Sequence, residues 1–168
     1  MYAELHCKTN FSFLEGASHA DELVGRAMAC GYTALAVTDR NSLSGVVRAH
    51  TAAKQHADRL KLIIGAEITL TDAPNVVLWA PDRAAYGQLS RLITVGRRRA
   101  EKGDCILRWQ DLVDHSAGLL AGVEPSARQQ EPSARHEPSA VHKPTAGASA
   151  WCRYRELFGN RAYLLAPR

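Results

Sequence analysis

The sequence predicts an α/β fold in which short strands alternate with helices. Continuous apolar segments such as residues 32–38 are typical of strands covered on both faces. Segments with an apolar stripe at helical spacing lie between them, which favours right-handed crossovers and a parallel sheet. The chain has 168 residues, whereas a closed barrel of eight such units takes about 250. If the sheet is barrel-like, this chain supplies only part of the barrel.

The first half of the chain is predicted to form three strands and two helices. The strands lie at residues 2–5, 32–38 and 62–64, and the helices at residues 18–31 and 43–60. Ser18 and Asp21 form a capping pattern ahead of the first helix, and Gly31 ends it. In the second helix we expect Val47 and His50 to be among the side chains that face the core.

The second half continues the same alternation. Predicted strands lie at residues 75–80, 118–121 and 162–166. Pro81 opens a helix that places Tyr86, Leu89 and Ile93 on one face. A last helix covers residues 152–158 and is closed by Gly159.

One segment does not match a folded core. The sequence Glu-Pro-Ser-Ala-Arg occurs at residues 124–128 and 131–135, and a similar stretch occupies residues 137–141. These copies are rich in proline and nearly lack large apolar side chains, so they cannot bury enough surface to offset the entropy of ordering. We expect a first folded part at residues 1–123, a disordered insert at 124–150 and a helix–strand continuation at 151–168.

Composition argues against several classes of protein. No apolar run approaches the roughly 20 residues needed to cross a bilayer, and the first residues lack the basic and apolar regions of a signal peptide. The four cysteines are far apart, which indicates neither a disulfide framework nor a zinc knuckle. We therefore expect a cytoplasmic protein with reduced thiols. The net charge of +4 permits an acidic partner such as nucleic acid but does not by itself indicate one.

Three motifs carry the candidate chemistry. They are HCKTNFSFLEGAS at residues 6–18, LAVTDRNSL at residues 35–43 and IGAEI at residues 64–68. In this order, at predicted strand ends, they resemble the motifs of the PHP (polymerase and histidinol phosphatase) family. Those motifs are usually His-x-His-Ser/Thr followed by a carboxylate before Gly, then Thr-Asp-His, then Gly-x-Glu. The resemblance implies a partial, distorted barrel of the TIM type with functional groups at the strand ends.

The resemblance also implies a set of metal-ligand positions. In metal-dependent members, His and carboxylate side chains hold two or three divalent ions that activate water for phosphoester hydrolysis. Four residues of this sequence match such positions: His6, Glu15, Asp39 and Glu67. We regard them as relic ligand positions, because other positions of the pattern differ.

Three substitutions separate this sequence from the family pattern. Lys8 stands where the second histidine of the first motif would be, Arg40 replaces the histidine after the aspartate, and Asn75 roughly replaces a further histidine. A protonated ammonium or guanidinium has no lone pair, so Lys8 and Arg40 oppose metal binding. We expect them to fill the vacated space and neutralise the three matching carboxylates. No metal cofactor is expected, whereas an active site of this type would need Mn²⁺, Zn²⁺ or Mg²⁺.

The sequence around these motifs, including residues 42–50 and 97–100, looks most like the PHP domain of error-prone bacterial DNA polymerases of the alpha-subunit type. The resemblance implies an N-terminal fragment that lacks the polymerase site and packs as a scaffold against the rest of the alpha subunit. It further implies an indirect link to DNA and, for the family, to a sliding clamp and mutasome accessory proteins. Two alternatives stay open: a metal-dependent, proofreading-like phosphoesterase and a basic nucleic-acid-binding module.

A basic cluster is the candidate for direct contact with DNA. Its members are Arg97, Arg98, Arg99 and Lys102. Such cations bind a phosphate backbone without reading sequence. The alternative is a solvated helix end, since cations are also favoured at a helix C-terminus by the helix dipole.

Overall fold

The α/β class is confirmed by a computed structural model that describes residues 2–55, 58–124 and 146–165, without the side chains of residues 146–150. The strands are β1 (Ala3–Cys7), β2 (Ala34–Val37), β3 (Lys61–Ile68), β4 (Val76–Ala80), β5 (Leu120–Val123) and β6 (Ala162–Leu164). The helices are α1 (Ala20–Ala29), α2 (Val46–Lys54), α3 (Arg83–Arg99), α4 (Trp109–Asp114) and α5 (Ala146–Phe158), with a 3₁₀ turn at Gly159–Arg161.

The six strands form one curled sheet, a half-barrel, in which they follow each other in sequence order. The pairs β1–β2, β2–β3 and β5–β6 are parallel, whereas β4 runs antiparallel to both of its neighbours. The expectation of a wholly parallel sheet is therefore wrong for β4. Only residues 69–75 link β3 to β4, which is shorter than the dozen or more residues that a parallel crossover needs. As a result, the start of β4 lies at the edge where β3 ends.

Helices cover one face of the sheet and leave a smaller apolar cluster on the other. One buried cluster lies under α1 and α2, and a second lies under α3, α4 and α5. Val77 and Trp79 alternate along β4 with residues of the second cluster, so they point to the opposite face and pack there with Ala36. The Trp79 indole N–H donates to the Leu5 carbonyl at 2.8 Å, which ties β4 to β1 across that face.

The starts of the first two helices differ from the prediction. His19, not Ser18, is the N-cap of α1, and its N–H donates to the Glu22 carboxylate at 2.8 Å. Helix α2 begins at Val46 and buries the residues at 46, 49 and 53. Val47 and His50 each follow a buried residue by one position and therefore point away from this stripe. His50 is exposed, and Val47 is 74% exposed. The predicted helix begins three residues too early, at residue 43. An apolar stripe counted from that residue wrongly includes Val47 and His50.

Two further features lie outside the sequence prediction. Helix α4 has only six residues, too short a stretch for its apolar spacing to identify a helix, and the sequence does not predict it. Helix α5 begins at Ala146, so its first residues fall within the stretch expected to be an insert, while residues 125–145 lie outside the described residues. In the part of the chain that the structure describes, no helix is long and apolar enough to span a membrane.

Candidate functional site

The residues of the three motifs meet at one edge of the sheet. His6 lies in β1, Asp39 and Arg40 follow β2, and Glu67 lies near the end of β3. Asn75 directly precedes β4, and because β4 is antiparallel to β3 it reaches the same edge. The sequence-predicted ligand positions and their substitutions therefore share one site.

Two cations and two carboxylates form the centre of this site. The Lys8 Nζ atom lies 2.5 Å from the nearest oxygen of Glu15 and 2.5 Å from that of Glu67. The Arg40 guanidinium lies 2.5 Å from the other oxygen of Glu15. Lys8 and Arg40 are thus joined to two of the three matching carboxylates, Glu15 and Glu67, in a continuous network.

Glu67 is the most enclosed acid of this network. Its side chain is 12% exposed, His6 Nε2 lies 3.3 Å from one oxygen, and the Asn75 amide donates to the other at 3.3 Å. Burial disfavours the charged form of Glu67, but hydrogen bonds from His6 and Lys8 together with their charge outweigh it and lower its pKa to about 2. The second ring nitrogen of His6 lies 2.8 Å from the Thr38 hydroxyl, which fixes the ring.

Asp39 is held by hydroxyl groups, contrary to the expectation that a cation would neutralise it. It is 1% exposed and accepts hydrogen bonds from the Thr9 N–H at 2.7 Å, the Thr9 hydroxyl at 2.8 Å and the Ser12 hydroxyl at 2.7 Å. The chain after β1 folds back over the end of β2, and two hydroxyl residues three positions apart then reach one carboxylate. Sequence reasoning missed Thr9 and Ser12, although their spacing within the first motif was the available signal.

The loop after β2 is fixed to β3 by both backbone and side chain. The Glu67 N–H donates to the Asp39 carbonyl at 3.1 Å, and the Asn41 N–H donates to the Glu67 carbonyl at 2.8 Å. Asn41 adopts a left-handed conformation with φ of 48°, which asparagine tolerates better than most residues. Its side chain exchanges two hydrogen bonds with Thr69, at 2.6 and 3.0 Å. Arg40 is thereby held beside the carboxylates.

The basic cluster at the end of α3 divides into two kinds of residue. Arg97 donates to the Asn41 carbonyl at 3.1 and 3.3 Å and so ties α3 to the site loop. Arg99 forms a two-pronged ion pair with Asp111 at 2.6 and 2.8 Å, and this hydrogen bonding lowers the pKa of Asp111. The other two members of the cluster are exposed and make no hydrogen bond or ion pair with any described residue: Arg98 and Lys102.

The donor set at this edge does not suit a divalent metal ion. The Lys8 ammonium occupies the space between Glu15 and Glu67. Burial works against its charge, but hydrogen bonds to both carboxylates outweigh this and raise the pKa of Lys8, so it keeps its proton and offers no lone pair. Burial, aided by nearby carboxylates, raises the pKa of the Cys7 thiol to about 11, so it is not a thiolate ligand. Across residues 2–55, 58–124 and 146–165, no three His, Cys, Asp or Glu side chains cluster as metal ligands would.

Comparison with known proteins identifies the family. The chain is 46% identical to an error-prone DNA polymerase of Rhodopirellula baltica over 98% of its own length and 14% of the relative's. It is 60% identical to an error-prone DNA polymerase of Aromatoleum aromaticum over 74% of its length and 12% of the relative's. The chain therefore spans about one seventh or less of these relatives.

A solved structure shows the same fold. It is an amidohydrolase from Chromobacterium violaceum with bound sulfate and no metal, 16% identical, with a TM-score of 0.53 over 79% of this chain and 69% of that one. A family model described as the PHP domain matches residues 4–165, which is nearly the whole chain. Together with the motifs at the sheet edge, this match shows that the chain belongs to the PHP domain family.

Proposed function

We propose that this chain is a metal-free PHP domain of an error-prone DNA polymerase alpha subunit and acts as a structural scaffold. The observation that carries the proposal is the position of Lys8 Nζ, 2.5 Å from the oxygens of both Glu15 and Glu67. Sequence identities of 46% and 60% to error-prone DNA polymerases support the inference that the chain is part of such a polymerase. That larger protein would add deoxynucleotides to a primer during damage-tolerant synthesis, and this chain spans 14% and 12% of two such relatives.

The chemistry of the network supports a structural role. Metal-dependent phosphoester hydrolysis needs an ion that lowers the pKa of a bound water. Here fixed cations already neutralise Glu15 and Glu67, and neither Lys8 nor Arg40 generates a nucleophile from water while it holds its proton. What the network does is cross-link the segment after β1 to the ends of β2 and β3. An ion pair of this kind stabilises the sheet edge without catalysis.

Exposed apolar side chains support the remainder of the polymerase as the partner. Phe13 and Leu14, beside Glu15, are 75% and 89% exposed, and Tyr163 and Leu164 on the edge strand β6 are 51% and 55% exposed. Apolar groups on a loop and on an open strand edge are suited to burial against another part of a larger protein. The same parentage supports a cytoplasmic location as part of this proposal, with the sliding clamp and mutasome accessory proteins as candidate partners of the whole polymerase.

Restoring the histidines tests the proposal. We expect the wild-type chain to bind no Mn²⁺ or Zn²⁺ in a calorimetric titration, and Lys8→His combined with Arg40→His to bind the ion. A matched control is Arg83→His with Arg91→His, two exposed arginines eight positions apart that should gain no binding.

Two results would contradict the proposal. The first is a double variant at positions 8 and 40 that binds no more metal than wild type, which would mean that the two cations do not block the site. The second is a wild-type chain that binds metal stoichiometrically and hydrolyses a phosphodiester when metal is added, which would identify the alternative, a phosphoesterase.

A further inference from the structure

Helix α3 is a basic helix along its whole length. Its 17 residues include five arginines and neither aspartate nor glutamate. The first acidic residues on either side are Asp82, whose side chain caps the helix by accepting from the Ala85 N–H at 2.8 Å, and Glu101 beyond its end. The charge of α3 is therefore not balanced within the helix.

The structure separates these arginines into engaged and free residues. Arg97 is bound to backbone carbonyls and Arg99 is paired with Asp111, so both serve the fold. The remaining three are exposed, and their side chains make no hydrogen bond or ion pair with any residue that the structure describes: Arg83, Arg91 and Arg98. We call these three residues the α3 basic face.

The α3 basic face is an open, extended surface. Its first and last residues are 15 positions apart, which corresponds to about 22 Å along a helix. Arg91 and Arg98 lie on nearly the same side, and Arg83 lies within about 80° of them around the axis, at about 100° per residue. Within the sector that the three arginines span, the residues are small, namely Gly87 and Thr94, while the exposed Tyr86 lies about 60° outside it at about 100° per residue. A partner's backbone can therefore approach the helix closely while the guanidinium groups reach past it.

Stabilisation of the helix does not explain this arrangement. A helix dipole favours cations in the last turn and disfavours them in the first. It accounts for the position of Arg98, but Arg83 is the first residue of α3, where a cation is unfavourable, and Arg91 is in the middle. An unpaired arginine at the unfavourable end indicates a partner outside the helix.

We propose that the α3 basic face binds the phosphodiester backbone of DNA. Guanidinium groups bind phosphate oxygens in a two-pronged manner. A protein partner would require an apolar centre surrounded by polar residues, whereas the residues within this sector are small and Tyr86, which is 36% exposed, lies outside it. This inference goes beyond the scaffold role and does not depend on the site at the sheet edge.

Salt dependence of DNA binding measures the number of phosphate contacts. The probe is fluorescently labelled DNA of 20 nucleotides, single-stranded and duplex, titrated with the 168-residue chain between 50 and 200 mM NaCl. Each lost contact lowers the slope of log K against log salt by about 0.9 for duplex and about 0.7 for single strands. For Arg83→Gln, Arg91→Gln and Arg98→Gln combined, we expect the slope to fall by about 2.7 or about 2.1. Over this fourfold range the wild type then loses about 40-fold more duplex affinity than the variant.

Two further variants separate phosphate contacts from general charge. Arg26→Gln, Lys54→Gln and Arg59→Gln remove the same charge from exposed positions outside α3 and should leave the slope within 0.5 of wild type, an order-of-magnitude bound of about half a contact. Replacing the three α3 arginines by lysine keeps the charges and should keep most of the slope. Thermal unfolding of each variant verifies that it is folded.

The proposal is overturned if the glutamine variants inside and outside α3 lower the slope equally, since charge alone would then explain binding. It is also overturned if polyglutamate of matched charge displaces DNA at equal concentration, which would indicate an acidic protein as partner. The proposal is overturned as well if the affinity of the wild-type chain for DNA does not depend on salt concentration. None of these results bears on the metal titration, so the two proposals fail independently.

Discussion

Replacing Lys8 by methionine should lower the free energy of unfolding by about 1–2 kcal/mol at neutral pH. The substitution keeps an unbranched side chain as far as the ε carbon but removes the ammonium that lies between Glu15 and Glu67. Burial disfavours ionised Glu67, yet hydrogen bonds and charge from His6 and Lys8 lower its pKa from 4.5 to about 2. At about 1.36 kcal/mol per pKa unit, this difference corresponds to about 3 kcal/mol, and Lys8 supplies only part of it, because the His6 hydrogen bond is the largest favourable contribution and remains in the variant.

The pH dependence of this loss follows from the sign of the shift. A carboxyl group whose pKa is lowered by folding stabilises the protein above its unfolded pKa, and this stabilisation is lost as the pH falls through the folded pKa. The difference between wild type and Lys8→Met should therefore be complete at pH 7 and shrink as the pH is lowered from about 4.5 towards about 2. Urea unfolding followed by tryptophan fluorescence at pH 7, 4.5 and 3 measures it.

Lys54→Met is the matched control, because Lys54 is exposed on α2 and its side chain makes no hydrogen bond or ion pair with any described residue. It should change the free energy of unfolding by no more than about 0.5 kcal/mol. The reasoning is refuted if Lys8→Met also changes it by less than about 0.5 kcal/mol, or if its effect is the same at pH 7 and pH 3.

Two further substitutions test the geometry of the site. Arg40→Gln should lower the free energy of unfolding by only about 0–1 kcal/mol and less in 1 M salt, because Arg40 is 45% exposed and its partner Glu15 is 27% exposed; a loss equal to that of Lys8→Met would contradict this order. Gly45→Ala should destabilise by about 1–3 kcal/mol, because the added Cβ would lie 2.7 Å from the pinned Asp39 carboxylate. The control is Gly25→Ala inside α1, where an added Cβ meets nothing within 4 Å, so this variant should be stabilised by about 0.5–1 kcal/mol. Thermal unfolding measures both variants. A change in stability of the same sign in both would count against the packing argument.

The polar residues at strand ends could be located from the sequence because strands here are marked by apolar runs. β2 is wholly buried and ends at Val37, two residues before Asp39. The same pattern places Glu67 at the end of β3, although β3 is longer than the apolar run that predicts it. Both carboxylates therefore reach one sheet edge, as the carboxyl ends of parallel neighbours do.

Strand direction was the part that apolar runs could not provide. In a wholly parallel sheet, Asn75 would precede its strand at the edge opposite Glu67. It reaches Glu67 because β4 is antiparallel, and the brevity of the link at residues 69–75 was the available signal for this.

The partners of individual side chains were also beyond the sequence. Charge balance suggests a cation for Asp39, but the fold of residues 8–18 brings the Thr9 and Ser12 hydroxyls to it instead. The same holds for Arg97, which the sequence presents as a free cation and the structure shows bound to the Asn41 carbonyl, 56 residues away in the chain. Such contacts depend on loop geometry, which residue type and spacing do not determine.

The most direct test of the central claim is the metal content of the wild-type chain. The chain is purified without chelator and analysed by plasma mass spectrometry, and hydrolysis of a generic phosphodiester is measured with and without Mn²⁺. The network of Lys8 and Arg40 with the two carboxylates predicts far less than one metal ion per chain and no hydrolysis above background. One or more ions per chain with hydrolysis that depends on Mn²⁺ would contradict the scaffold and identify a working phosphoesterase.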